Sequence, residues 1–287
     1  MVPEALPLDP KSDTMPRVLV VGGSDPSGAA GIQADLKTLT VLGVYACTAV
    51  TAVTVQNQHG VTDIMALPAS VVLAQMDAAM QDAPCDVVKT GMLASVDIVH
   101  GLVQRMASWG AQTRLVIDPV LASSSGRSLL PDEARKALIE HLVPASALIT
   151  PNLVEAELLT GQTANNEDEM SLLCDLLLAR GASAVLVKGG HLLERDPELT
   201  EITDVLRTAD GEEARFRHPR HEGSVLRGTG CAVASAVAAG IAEGLTLHGA
   251  VQRAISHVRL SMDLAQPLAR FRALNPWAAA LQARDRA

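Results

Sequence analysis

Short β-branched apolar runs alternate along the chain with longer stretches in which apolar residues recur every three or four positions. The first pattern predicts buried strands and the second amphipathic helices. Strands are predicted at 17–21, 47–55, 86–90, 114–118, 147–150 and 184–188. An extended edge segment is expected at 61–67, and two short strands within 202–218 around the turn Ala209-Asp210-Gly211. Helices are predicted over 30–42, 68–80, 95–109, 131–142, 153–159, 167–180, the stretch after Cys231, and 247–264, with Gly161 and Gly181 as stops. Only a C-terminal segment around Trp277 is left without a predicted element. Strands alternating with helices imply an α/β protein of three layers, a central mostly parallel sheet with helices on both faces and right-handed crossovers. No linker, composition break or internal repeat divides the chain. Residues 16–287 therefore read as one domain, and residues 1–15, with Pro3, Pro7 and Pro10, as a flexible lead-in.

Composition narrows the core and the partners. Hydrophobic residues make up 48% of the chain but aromatics only 2%, so Ala, Val, Leu and Ile must fill the interior, as suits helices on a parallel sheet. The formal charge is −9 and no Lys/Arg-rich run occurs, which argues against nucleic acid or an anionic membrane as partner. No apolar run reaches membrane-spanning length, and residues 1–15 lack the basic start and apolar centre of a signal peptide. Cys47, Cys85, Cys174 and Cys231 are widely spaced with no CxxC pair, which fits reduced thiols in a cytoplasmic protein better than zinc or disulfides.

The candidate chemistry lies at strand ends. Gly22-Gly23, Gln56, Lys89-Thr90-Gly91-Met92, Asp118, Thr150-Pro151-Asn152 and Lys188-Gly189-Gly190-His191 each close a predicted strand. In a parallel sheet those ends share one rim, where open α/β sheets bind ligands. Loops are polar in any case, but two lysines, an aspartate and several Gly-Gly steps together point to a phosphate-handling cleft. The first turn is not GxGxxG and no acidic residue stands where a dinucleotide site needs one.

Gly228-Thr229-Gly230-Cys231 opens a run of small residues that predicts a buried helix. Unpaired N–H groups there, at the positive helix end, form an anion site, and the same field is expected to lower the Cys231 thiol below its free value. The other reading is a glycine turn with cysteine as an apolar filler. Asn152 and Glu155, one turn apart, can position Mg²⁺ through its water shell, or can be an N-cap and a first-turn acid. Lys188 suits phosphate oxygens, or simply snorkels from a strand end. Gln56 offers donors and an acceptor that match an aminopyrimidine edge, or serves as a turn amide. Asp35 lies one turn into the first helix.

The stretches GSDPSGAAGIQADLKT (23–38), VTVQN (53–57), KTGML (89–93), IDPV (117–120), ITPNLVEA (149–156), VKGGH (187–191) and GTGC (228–231) follow one another in order. They closely resemble the motifs of hydroxymethylpyrimidine/phosphomethylpyrimidine kinases of thiamine biosynthesis, members of the ribokinase-like superfamily, from about Arg17 to the helix after Cys231. The resemblance implies a three-layer ribokinase-like fold and transfer of phosphoryl from ATP, with Mg²⁺, to hydroxymethylpyrimidine and its phosphate, in a homodimer. By the same resemblance, Asp35, Gln56 and Met92 hold the pyrimidine, with Gly23, Ala30 and Val120 lining it. Asn152 and Glu155 position Mg²⁺, Asn152 and Thr229 meet ATP, and Lys188 contacts its phosphates. Gly228, Thr229 and Gly230 form the anion hole, and Cys231 stands where most of the superfamily has an aspartate base. Four departures stand out: Arg227 where His is common, Ala232 where Thr often follows the cysteine, Ala29 in a usual Gly-Gly-Ala-Gly, and LNPW (274–277) in place of a glycine-rich ending. Arg227 is either a charged phosphate contact or a solvated side chain. A pyridoxal kinase and a non-catalytic pyrimidine-binding regulator are the alternatives.

Overall fold

A computed structural model describes residues 15–284 apart from 124–125, 197, 222–225 and 269–270. The expected lead-in therefore lies almost wholly outside the described residues. In chain order the elements begin β1 (Arg17–Ser24), α1 (Gly31–Val41), β2 (Tyr45–Asn57), β3 (Gly60–Ala66), α2 (Ala69–Asp82), β4 (Val87–Thr90), α3 (Val96–Trp109) and β5 (Arg114–Ile117). They continue through α4 (Asp132–Ala137), β6 (Leu148–Ile149), α5 (Leu153–Thr160), α6 (Glu167–Leu178), β7 (Ala184–Val187), α7 (Leu192–Arg195), β8 (Glu201–Thr208) and β9 (Glu213–Pro219). The last are α8 (Thr229–Ala242), α9 (Leu247–Asp263), the small hairpin β10 (Gln266–Leu268) and β11 (Phe271–Ala273), and α10 (Pro276–Arg284).

The first nine strands form one sheet in the order β3-β2-β1-β4-β5-β6-β7-β8-β9. Strands β2, β1, β4, β5, β6 and β7 run parallel, and the antiparallel pairs lie at the two edges. The central strands β1, β4, β5, β6 and β7 are covered on both faces, so nearly all their residues are buried whichever way they point. Val18 and Val20 face α1, α8 and α9, while Leu19 and Val21 face the layer of α2, α3, α5 and α6. This is why the parallel strands read as unbroken apolar runs rather than alternating ones.

The predicted elements recur with informative differences. Strand β2 runs on through Gln56 and Asn57 because the β3 edge pairs with it antiparallel. The expected helix over 131–142 divides: α4 gives way to a π-helical turn over Leu138–Leu142 and a 3₁₀ turn over Val143–Ala145. Pro144 lacks the N–H that a continuing α-helix would need, and the Val143 N–H reaches back to the Leu138 carbonyl instead. The C-terminal hairpin and α10 carry too weak a pattern to be read in advance.

On α9, His257 is buried beside Arg253, and its Nε2 finds no hydrogen-bond partner among the described residues. Burial, reinforced by Arg253, pushes its pKa from 6.5 down to about 4. The folded protein thus holds this ring neutral where the unfolded chain would protonate it. That stability is complete above pH 6.5 and is lost as pH falls towards 4, by about 3 kcal/mol from the size of the shift. His257→Leu is expected to flatten this part of the stability profile in urea titrations between pH 6.5 and 4. An unchanged slope would mean that another group sets it.

Candidate active site

The turn after β1 is built around a carboxylate that the sequence reading passed over. Asp25 is buried and accepts from the Ser27 N–H (2.8 Å) and the Ala30 N–H (2.8 Å), while its own N–H donates to Gln33 Oε1 (2.8 Å). Helix α1 has no side-chain cap at Ala30, and Asp25 binds that backbone from the turn instead. The turn is thereby held against the glycine turn of α8. Gly228 is the N-cap of α8 at φ +79°, and a Cβ there would lie 1.9 Å from the Ala29 carbonyl oxygen. Both the left-handed backbone and the close approach require glycine.

Beneath these two turns runs a file of alternating charges. Lys89, completely buried in β4, donates to Asp35 of α1 at 2.9 Å and lies 3.8 Å from Asp118, which follows β5. Asp118 is in turn 3.4 Å from Lys188, which follows β7, and Lys188 faces Glu155 of α5. Ser235, two turns into the small-residue run of α8, donates to Asp35 at 2.7 Å. Burial alone would depress Lys89, but Asp35, Cys231 and Asp118 outweigh it and hold the ammonium above its ordinary range. Lys188 is raised likewise by Asp118, Glu155 and Cys231 against its burial. For Asp35, burial wins over the pull of Lys89 and Ser235 and raises the carboxyl.

Lys89 received no role from the sequence beyond standing at the rim. The usable signal was a lysine within an otherwise apolar strand, since a fully buried lysine needs a partner.

Cys231 lies in the first turn of α8, half-buried, within the field of Lys89. The structure reverses the expected direction of its titration. Burial pushes the thiol up to about 12; Lys89 and the Gly31 N–H pull it down, while Asp118 and Asp35 oppose them. The helix start does supply a favourable field, but two buried carboxylates and the loss of water outweigh it.

A cavity of about 650 Å³ is lined by Asn152, Lys188, Thr229 and Gly230 and by the apolar Ile255, Val258 and Met262. Its side wall carries a polar chain. Asp204 accepts from the Gly189 N–H (2.8 Å) and meets His218 Nε2 at 3.3 Å; His218 Nδ1 meets Arg259 at 3.1 Å. Because a guanidinium only donates, His218 is held with its proton on Nε2, towards Asp204. A second hollow, of about 440 Å³, lies at the opposite end of the sheet beside Arg17, Cys85 and Trp109, away from all of these groups.

Asn152 and Glu155 form a reciprocal capping box: Asn152 Oδ1 accepts the Glu155 N–H and Glu155 Oε2 accepts the Asn152 N–H, both at 2.9 Å. Burial pushes the Glu155 carboxyl up to about 7, Lys188 opposing and Asp118 adding to it. Among the described residues no three His, Cys, Asp or Glu side chains converge to bind a metal directly. The pair fits Mg²⁺ in outer-sphere form, because Mg²⁺ retains waters and needs few protein ligands.

At the other side, Met92 Sδ packs over Gly23, 3.1 Å from where a Cβ would stand, and the Met92 carbonyl accepts from Thr51 Oγ1 (2.6 Å). Val120 carries φ +41°, an uncommon strain for a β-branched residue and one that clusters at functional sites. Gln56 is half-buried at the end of β2, and Arg227 donates to its Oε1 at 3.4 Å and to the Asn57 carbonyl. Arg227 thus faces the hairpin. The structure brings Asp35, Cys231, Gly228 and Ala30 together, pairs Gly23 with Met92, and groups Asn152, Lys188, Thr229 and Gly230 around the large cavity.

A mostly parallel sheet with a glycine turn opening a buried helix, two lysines flanking Asp118 and a cavity of about 650 Å³ beside them is the arrangement of a ribokinase-like kinase. A sequence model of the phosphomethylpyrimidine kinase family matches residues 25–272, and the chain belongs to that family. It is 41% identical over 252 residues to the hydroxymethylpyrimidine/phosphomethylpyrimidine kinase of Rhizobium meliloti, covering 87% of this chain and 91% of that one. It is 42% identical over 271 residues to the thiamine biosynthesis bifunctional protein ThiED of Geobacter sulfurreducens, covering 94% of this chain but 54% of that longer protein. Among solved structures, an ADP complex of Bacillus subtilis pyridoxal kinase superposes with a TM-score of 0.82 at 29% identity, over 94% of this chain and 100% of that one.

Proposed function

We propose that the protein transfers the γ-phosphoryl of ATP to the hydroxymethyl oxygen of 4-amino-5-hydroxymethyl-2-methylpyrimidine, and then phosphorylates the monophosphate, for thiamine diphosphate biosynthesis. The observation that carries this reading is the position of Cys231 and the Gly228 turn. They lie between the Asp35–Lys89 pair on one side and the Lys188 cavity on the other. In this reading Asp35, Gln56 and Met92 hold the pyrimidine, with Gly23, Ala30 and Val120 around it. The amides of residues 228–231 stabilise the equatorial phosphoryl oxygens, Lys188 balances charge on the nucleotide, and Cys231 takes the hydroxyl proton. Asn152 and Glu155 would hold Mg²⁺ through its water shell, where the ion would neutralise charge on the nucleotide phosphates. The transition state is loose, so positioning and electrostatics carry most of the acceleration.

Strands from both halves of the chain join one sheet, which supports a single kinase domain over residues 16–287. No helix among the described residues is long and apolar enough to cross a membrane, which is compatible with a cytoplasmic enzyme. The exposed apolar side chains Val53, Val55 and Met65 on the β2–β3 hairpin support a homodimer.

The likeness to pyridoxal kinase favours one second reading, in which pyridoxal is the better alcohol. A coupled assay with ATP and each alcohol, with products weighed by mass spectrometry, separates the two. The expected outcome is mono- and diphosphate of the pyrimidine at a kcat/KM well above that for pyridoxal; turnover of pyridoxal alone would overturn the proposal. ATP-independent binding of the pyrimidine with no turnover would instead indicate a regulator.

A further inference from the structure

Two segments 170 residues apart, the end of β2 and the turn before α8, meet at Arg227. One terminal nitrogen of its guanidinium donates to the Asn57 carbonyl and the other to Gln56 Oε1 at 3.4 Å. From the other side, Arg127 donates to the carbonyls of Val61 (3.1 Å) and Thr62 (2.6 Å). Both arginines therefore grip the tip of the hairpin. The β2–β3 register shifts between Val55 and Gln56, and such a bulge re-aims the side chain that follows it.

The contact has a chemical consequence for Gln56. A side-chain amide offers oxygen as acceptor on one side and NH₂ as donor on the other, whereas a guanidinium only donates. The atom that faces Arg227 must be the oxygen. The amide nitrogen is then the group left to meet a ligand. One donor from each terminal nitrogen of Arg227 is directed at the hairpin, to the Asn57 carbonyl and to Gln56 Oε1.

We propose that Arg227 is a positioning residue for substrate specificity: it fixes the Gln56 amide so that only the NH₂ faces the acceptor pocket, selecting a heteroaromatic ring with an acceptor nitrogen at that edge. The proposal rests on the reading that Gln56 faces the pyrimidine. Arg227 touches no reacting atom and acts through Gln56. Because it directly precedes Gly228, it also links the hairpin beside the substrate to the turn that receives the phosphoryl group.

The test is a double-variant cycle on the full-length protein with Arg227→Ala, Arg227→Lys, Gln56→Ala and Arg227→Ala/Gln56→Ala. Losing the orientation of one half-buried hydrogen-bonding group is expected to raise KM for the pyrimidine alcohol by up to about tenfold, with KM for ATP and kcat little changed. Gln56→Ala should add little once Arg227 is gone, because coupled residues are not additive. Arg227→Lys, which keeps one charged donor in reach, should recover part of the loss. A rise in KM for ATP in place of the pyrimidine, or full additivity, would overturn the proposal. Amide hydrogen exchange of ligand-free protein reads the contact without turnover: exchange over residues 56–62 should quicken in Arg227→Ala, and unchanged exchange also overturns it. If the wild-type protein leaves the pyrimidine unphosphorylated, the functional reading has failed. Calorimetric titration of the same variants with the pyrimidine then decides the role of Arg227, with equal affinities counting against it.

Discussion

Lys89→Met is expected to lose measurable turnover and to lower folding stability by about 3–5 kcal/mol, the usual cost of removing one partner from a buried ion pair. Lys89 is completely buried, and it faces Asp35 at 2.9 Å and Asp118 at 3.8 Å. Methionine fills the same volume but leaves Asp35 without a counter-ion. Asp118 is less exposed to the loss, because Lys188 lies 3.4 Å from it. The damage should therefore be specific to Asp35. Lys89→Met/Asp35→Asn should recover most of the stability, since asparagine is neutral and can still accept from Ser235, which is 2.7 Å from the carboxylate. The double variant should stay inactive, because the field that Lys89 exerts on Cys231 is gone. Urea denaturation checks the stabilities and a coupled ATP assay the activity. A single variant as stable as wild type, or a double variant no more stable than the single, would show that the pair is not coupled as its geometry implies.

The same cluster shows what sequence reading can and cannot reach. The α/β class follows from alternating patterns, and the convergence of strand ends follows from parallel pairing, so the sequence alone places Asp118, Lys188 and Asn152 at one rim. Partnership was not legible. Lys89 and Asp35 are 54 residues apart and Ser235 is 200 from Asp35, and no local periodicity encodes which buried charge meets which. The role of Asp25 was hidden for another reason. Its carboxylate binds backbone N–H groups, which every residue has. Arg227 is ambiguous in sequence because an arginine beside a glycine turn suggests phosphate; only the hairpin's approach shows that it donates to Gln56 and Asn57. The titration of Cys231 was misjudged because the helix field is a local property, readable from Gly-Thr-Gly-Cys. The burial and the two carboxylates that outweigh it are tertiary.

Cys231→Ala is expected to lower kcat by about 10²- to 10⁴-fold, the range in which a positioned base contributes, while Cys47→Ser leaves it near wild type. The raised thiol makes a second result predictable. With its pKa pushed up to about 12, Cys231 in the ligand-free protein is a neutral thiol throughout the physiological range. The thiolate is then only a minor form at pH 8. A thiol cannot accept the hydroxyl proton, so catalysis through Cys231 must draw on that minor form. The activity of the wild-type enzyme should then climb with pH from 6 to 9 without the plateau that a base titrating near neutrality would produce. Alkylation of Cys231 by iodoacetamide, followed by peptide mass spectrometry, should climb in parallel, because the thiolate is the nucleophile there too. The Lys89→Met variant sharpens the test. Lys89 is the principal cation that lowers this thiol, so its loss should slow alkylation of Cys231 further at every pH, even where turnover is already lost. Half-maximal alkylation below pH 9 in the wild type would refute the buried-thiol account, and a Cys231→Ala variant with undiminished kcat would refute the base.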